Sequence, residues 1–108
     1  MTGRINQRAL LGQADGSEVE LLVTGTETYA TYETPDGYPA VYDDDGGRFC
    51  FARVVDGRFE STGVPVTAPP PADVRRHAQE SADVRTARIT ARQEQMERRA
   101  GARDEEEQ

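Results

Sequence analysis

Turn signals constrain this sequence more than any other feature. Asp15-Gly16, Pro35-Asp36-Gly37, Asp45-Gly46-Gly47 and Asp56-Gly57 punctuate the stretch 15–57. Glycine supplies the positive φ of tight turns, and Asp side chains hydrogen-bond the turn backbone. The runs between them are short and rich in β-branched and aromatic residues: Glu18 to Thr24, Thr28 to Thr34, Tyr38 to Asp43, Arg48 to Val55 and Arg58 to Val64. An opening strand fits Arg4 to Leu11. Parallel pairing needs crossovers of about a dozen residues, which this spacing denies. An antiparallel β-meander is the expected outcome. In Phe49-Cys50-Phe51 the two rings point to one face and the thiol to the other. The rings are expected to build a core with Tyr29 or Tyr32, Val41 and Phe59, and Cys50 to be a buried structural thiol.

Pro65 and then Pro69-Pro70-Pro71 end the sheet. Three consecutive prolines favour a stiff polyproline II spacer. From Asp73 to Ala100 there is no Pro or Gly, and Ala, Arg, Glu and Gln dominate. Asp73 suits the positive end of a helix as a cap. Val74, Ala78, Ala82, Ile89, Met96 and Ala100 form a narrow stripe on it, half of it alanine. The fold class is therefore expected to be α+β: a small antiparallel sheet over 1–66, a proline-rich linker over 67–72, one long polar helix over 73–101 and an acidic tail over 102–108.

The chain has 108 residues and a net charge of −7. Residues 1–72 hold eleven acids and five arginines, a balance of −6; residues 73–108 hold nine acids and eight arginines, a balance of −1. An acidic sheet repels phosphate backbones, so nucleic acid is not an expected partner. In the second part acids interleave with arginines along the sequence, as on a solvated helix face. No run reaches the ~20 apolar residues of a membrane span. The first 17 residues lack the ~7–15-residue apolar stretch of a signal peptide. As written, the chain is expected in the cytoplasm, and outside the cell only if exported by another route. A sheet of this size, in a chain with 35% hydrophobic residues and no Trp, leaves little room for a deep cofactor pocket.

Residues with chemistry are few. His77 is the one histidine and is followed by Ala78 and Gln79, which excludes the H-E-x-x-H zinc pattern. Asp43-Asp44-Asp45-Gly46 has adjacent acids, where a calcium loop needs them at alternate positions with a Glu at position twelve. Glycine-rich phosphate loops are absent. No catalytic residue, cofactor or metal site is expected.

A resemblance gives the pattern a context. Gln13-Ala14-Asp15-Gly16-Ser17-Glu18-Val19, then Tyr32-Glu33-Thr34-Pro35-Asp36-Gly37-Tyr38, the Asp43-Asp44-Asp45-Gly46 turn, Phe49-Cys50-Phe51-Ala52, Val55-Asp56-Gly57-Arg58-Phe59 and Ser61-Thr62-Gly63-Val64 follow in order. This series, over about residues 4–90, resembles the N-terminal propeptide of secreted bacterial metalloproteases of the immune inhibitor A type. The resemblance implies a propeptide-like module that inhibits or chaperones a metalloprotease in trans, without catalytic residues of its own. Its partner would be another protein. Tyr32, Glu33, Asp36, Gly37 and Tyr38 are the candidate contact residues, against the simpler possibility that they make one hairpin. A second reading is an assembly adaptor, which docks its sheet on a larger complex and reaches out with the helix.

Overall fold

The computed structural model describes residues 4–107. Six strands are followed by one helix: β1 (Arg4–Gly12), β2 (Glu18–Gly25), β3 (Ala30–Glu33), β4 (Pro39–Asp43), β5 (Arg48–Val55), β6 (Arg58–Pro65) and α1 (Ala82–Glu107). The strands form one antiparallel sheet in sequence order. The architecture is the α+β arrangement that the turn spacing implies. Its tightest hairpin is Asp56-Gly57, where φ values of +52° and +80° join Val55 to Arg58. Two successive positive φ values match the right-handed strand twist, which is why Asp-Gly stands there.

The sheet is not flat. In a flat meander the β1–β2 and β4–β5 turns would sit at opposite ends, three strands apart. Here the Ala14 amide donates to the Gly47 carbonyl at 2.8 Å, and the Phe49 amide donates to the Gln13 side-chain oxygen at 2.8 Å. These bonds require the sheet to coil upon itself. A bulge in β6 assists: Cys50 pairs with Pro65 but Ala52 with Ser61, and the excess residues bend through Gly63 at φ +77°. Val66 then returns to β5, its amide donating to the Phe49 carbonyl at 3.1 Å.

The coiled interior holds Val19, Leu21, Ala40 and Phe49, flanked by Leu11, Tyr32 and Val66. The Phe49 ring meets Tyr32 at 5.7 Å and Tyr42 at 5.2 Å, and the Phe51 ring meets Tyr38 edge-on at 6.0 Å. Of the two tyrosines considered for this core, Tyr32 joins it. Val41 and Phe59 are only half-buried. Cys50 is buried, as are Phe51 and Ala52.

The helix starts later than expected. Residues 66–81 form turns and extended backbone, and α1 begins at Ala82 rather than Asp73. Asp73 caps nothing; its carboxylate lies 3.1 Å from Arg53 Nε. The Ser81 hydroxyl caps α1 instead, accepting from the Val84 amide at 3.3 Å while its carbonyl accepts from Arg85 at 3.0 Å. At the other end the helical backbone continues through Gly101 to Glu107, over the stretch expected as a non-helical tail. A helical glycine costs only about 1 kcal/mol relative to Ala, less than is needed to end a helix with good formers on both sides. Among the described residues no helix is long and apolar enough to cross a membrane.

Candidate functional site

The segment 66–81 lies as a strap along the sheet, and the strap's contacts define the site. Local propensity favours helix over residues 73–81 of this strap, but a helix would swing Val74 and Glu80 away from the surfaces that bury them. Val74 is 6% exposed and Glu80 4%. Tertiary burial outweighs propensities of a few tenths of a kcal/mol per residue.

The β3–β4 hairpin receives the middle of the strap. Thr34, Pro35, Asp36 and Gly37 make its turn, with the Gly37 amide donating to the Thr34 carbonyl at 2.8 Å and the Tyr38 amide to the Thr34 hydroxyl at 3.1 Å. Gly37 has φ +92°, and a Cβ there would stand 2.7 Å from His77 Cε1. Glycine is thus required both by the backbone and by the imidazole packed on it. The His77 amide donates to the Gly37 carbonyl at 2.8 Å, and His77 Nδ1 lies 3.2 Å from Glu33 Oε2. The Arg76 guanidinium sits 5.1 Å above the Tyr38 ring. Among the proposed contact residues, Glu33, Gly37 and Tyr38 are brought together on the strap. Tyr32 turns into the core, and Asp36 is exposed at the turn.

Glu80 fastens the strap's end. Its Oε1 accepts from the Tyr29 hydroxyl at 2.9 Å, and its Oε2 from the Phe59 amide at 2.8 Å. Arg88 grips both oxygens, Nε to Oε1 at 2.8 Å and Nη2 to Oε2 at 2.9 Å. Burial pushes the Glu80 carboxyl up. The Phe59 amide, Arg88 and Tyr29 together outweigh that effect and hold it below the usual carboxylate value. Tyr29, desolvated and bonded to a carboxylate, is pushed up to about 12. One residue later, the Ser81 amide donates to the Gly57 carbonyl at 2.9 Å. Sequence reasoning missed Glu80 because it sits in a polar run. The available clue was Ser81 followed by Asp83 in the first turn, a helix start that leaves Glu80 just outside.

The helix itself divides in two. Val84 is buried, Arg85 and Ile89 are half-buried, and residues 90–99 are all exposed, Met96 at 38% among them. At ~100° per residue Arg85, Arg88, Arg92 and Arg99 fall within about 60° of one another, while Asp83, Glu94 and Glu97 lie opposite. Charges that interleave along the sequence are therefore largely separated on the helix, Arg98 beside Glu94 excepted, with an arginine face running outward from the one that holds Glu80.

The polar groups seen here are structural in their bonding. The Asp43 carboxylate is used by the amides of Asp45 and Gly46 and by the Ser61 hydroxyl, and these bonds, Ser61's foremost, hold it below its ordinary value. Cys50 Sγ is 4.0 Å from the Arg48 carbonyl, and the His77 imidazole is engaged with Glu33. Among the described residues no three His, Cys, Asp or Glu side chains gather as a metal site would need. Comparison with family models, curated proteins and solved structures finds no match to this chain.

Proposed function

We propose that this chain is a non-catalytic protein-binding module: a strapped β-unit that carries a long helix as its contact arm. The observation that carries the reading is the solvent exposure of residues 90–99, a run of about 15 Å of helix set on a rigid base. An exposed polar stretch of helix held only by its own propensity is marginally stable, and contact with a partner would fix it. The bonding of the base supports the same reading. Its polar groups are used on one another at Glu80, Arg88 and Tyr29, an arrangement suited to fixing geometry rather than to turning over a substrate.

The partner we propose is a metalloprotease, with the chain acting as a propeptide-like inhibitor or folding chaperone in trans. Its support is the ordered series of sequence elements that resembles such propeptides. In this reading Glu33, Gly37 and Tyr38 act from behind, holding the strap that aims the helix. The test is a rate measurement. Added to a zinc metalloprotease that lacks its own propeptide, the chain should slow peptide cleavage at micromolar concentration. An unchanged rate at micromolar excess abandons the protease and favours the assembly adaptor. That second reading draws on the same exposed helix, which would reach a further subunit of a larger complex.

A further inference from the structure

The space beneath the base of the helix has a chemistry of its own. An open cleft of about 470 Å³ lies between the sheet and residues 88–95 of α1. Val41, Tyr42 and Phe59 contribute apolar surface, and Arg88, Arg92 and Gln95 line it from the helix. Its size is within the range of about 300–1,000 Å³ that ligand-binding clefts occupy. Tyr42 is 41% exposed although its ring is braced edge-on against Phe49, so the apolar surface is both rigid and open.

Three charged groups line the cleft: Glu80, Arg88 and Arg92. Glu80 and Arg88 neutralise each other through two bonds. Arg92 is left as a net positive charge, steadied by a 3.2 Å bond from its Nη1 to the Gln95 side-chain oxygen. Among the described residues no carboxylate pairs with it. We infer that this cleft receives an acidic peptide segment of a partner protein, one carboxylate on Arg92 and a neighbouring apolar side chain on Tyr42 and Val41. A polyanion such as nucleic acid fits less well, because one net charge is offered beside an acidic sheet. The inference deepens the binding-module reading and rests on it, by naming where and with what chemistry a partner is met.

The test is an NMR titration of the full chain with acetyl-Leu-Glu-Phe-Glu-Leu-amide and with the same peptide carrying Gln for Glu. The Glu peptide should shift the backbone amides of Val41, Tyr42, Arg92 and Gln95, and bind about fivefold more tightly than the Gln peptide, as a part-exposed ion pair allows. Arg92→Gln should erase that preference. Arg98→Gln, on another side of the helix, should retain it. Raising salt from 50 to 500 mM should shrink it. Absent cleft shifts, or a Glu preference that survives Arg92→Gln, would overturn the inference. The outcome is separable from the protease experiment. A chain that slows the protease without cleft shifts keeps the binding-module reading and loses this one. A chain that binds the Glu peptide in the cleft but leaves the protease untouched keeps this inference and the binding-module reading, and loses only the protease as the partner.

Discussion

Removing the Glu80 carboxylate strands two donors and a cation together. The Phe59 amide, the Tyr29 hydroxyl and the Arg88 guanidinium all end on it, and the residue is 4% exposed. Glu80→Ala should therefore lower the unfolding free energy by about 3 kcal/mol, the cost of orphaning buried partners of a charge. A urea titration measures it, and a loss under about 1 kcal/mol would mean that these bonds add little. The same cluster sets opposite pH limits. Glu80 is held below the 4.5 of a free carboxyl, so as pH falls through that value the unfolded chain takes up the proton first, and this part of the stability is lost. Tyr29 is held protonated to about 12 against 10.0 when free, so its contribution is complete below pH 10 and disappears as pH rises from 10 to 12. Tyr29→Phe should weaken the protein at neutral pH by about 1 kcal/mol and flatten the decline between pH 10 and 12 in urea midpoints. A variant that keeps the full alkaline decline would place its origin in other groups.

At the scale of elements, the strands were legible and the helix start was not, for a physical reason. A β-turn is written locally: Asp56-Gly57 and Pro35-Asp36-Gly37 need particular φ values that few residue types supply. Residues 73–81 have helix formers without a breaker, yet helix is rejected because Val74 and Glu80 find better partners on the sheet than along their own backbone. His77 records the conflict, held at φ +59° where its amide reaches Gly37. The β3–β4 turn was legible in the same sense, but its intrachain neighbours were not. Sequence marked Tyr32, Glu33, Asp36, Gly37 and Tyr38 as candidate contacts for another protein, but not that His77 and Arg76 of the same chain would meet Glu33, Gly37 and Tyr38 while Tyr32 packs in the core. For α1, docking ends near Ile89, and beyond it only intrinsic helix propensity holds the backbone. Amides of residues 92–99 should exchange with deuterium orders of magnitude faster than those of β5, because local opening there breaks no tertiary contact. Similar protection in the two regions would mean that this half of α1 has a partner, and a self-associated chain would be the first to look for.

The whole molecule folds as a unit that ends neither where the sheet ends nor where the helix does. The sheet coils around a small interior of Val19, Leu21, Ala40 and Phe49, closed by Gln13 and Ala14 across its seam. That closure could not be read from strand spacing, since it depends on bonds between residues 33 and 36 positions apart. So small a core is supplemented from outside by the strap and the first turns of α1, which bury Val74 and Val84 and anchor Glu80. Burying two valines is worth about 1.5–3 kcal/mol each, to which the Glu80 bonds add. Two truncations separate this unit from a self-sufficient sheet. A chain ending at Ala72 loses all three contacts and should melt more than ~15 °C lower, at the ~4–8 °C per kcal/mol of a domain this size. A chain ending at Ala91 keeps them and gives up only exposed helix, so it should melt within ~3 °C of the full chain. Should the shorter form melt as high as the longer one, the strap would be ballast and Glu80 a surface detail. Should the longer one also collapse, the outer half of α1 would have to stabilise the base through contacts absent from the fold described above.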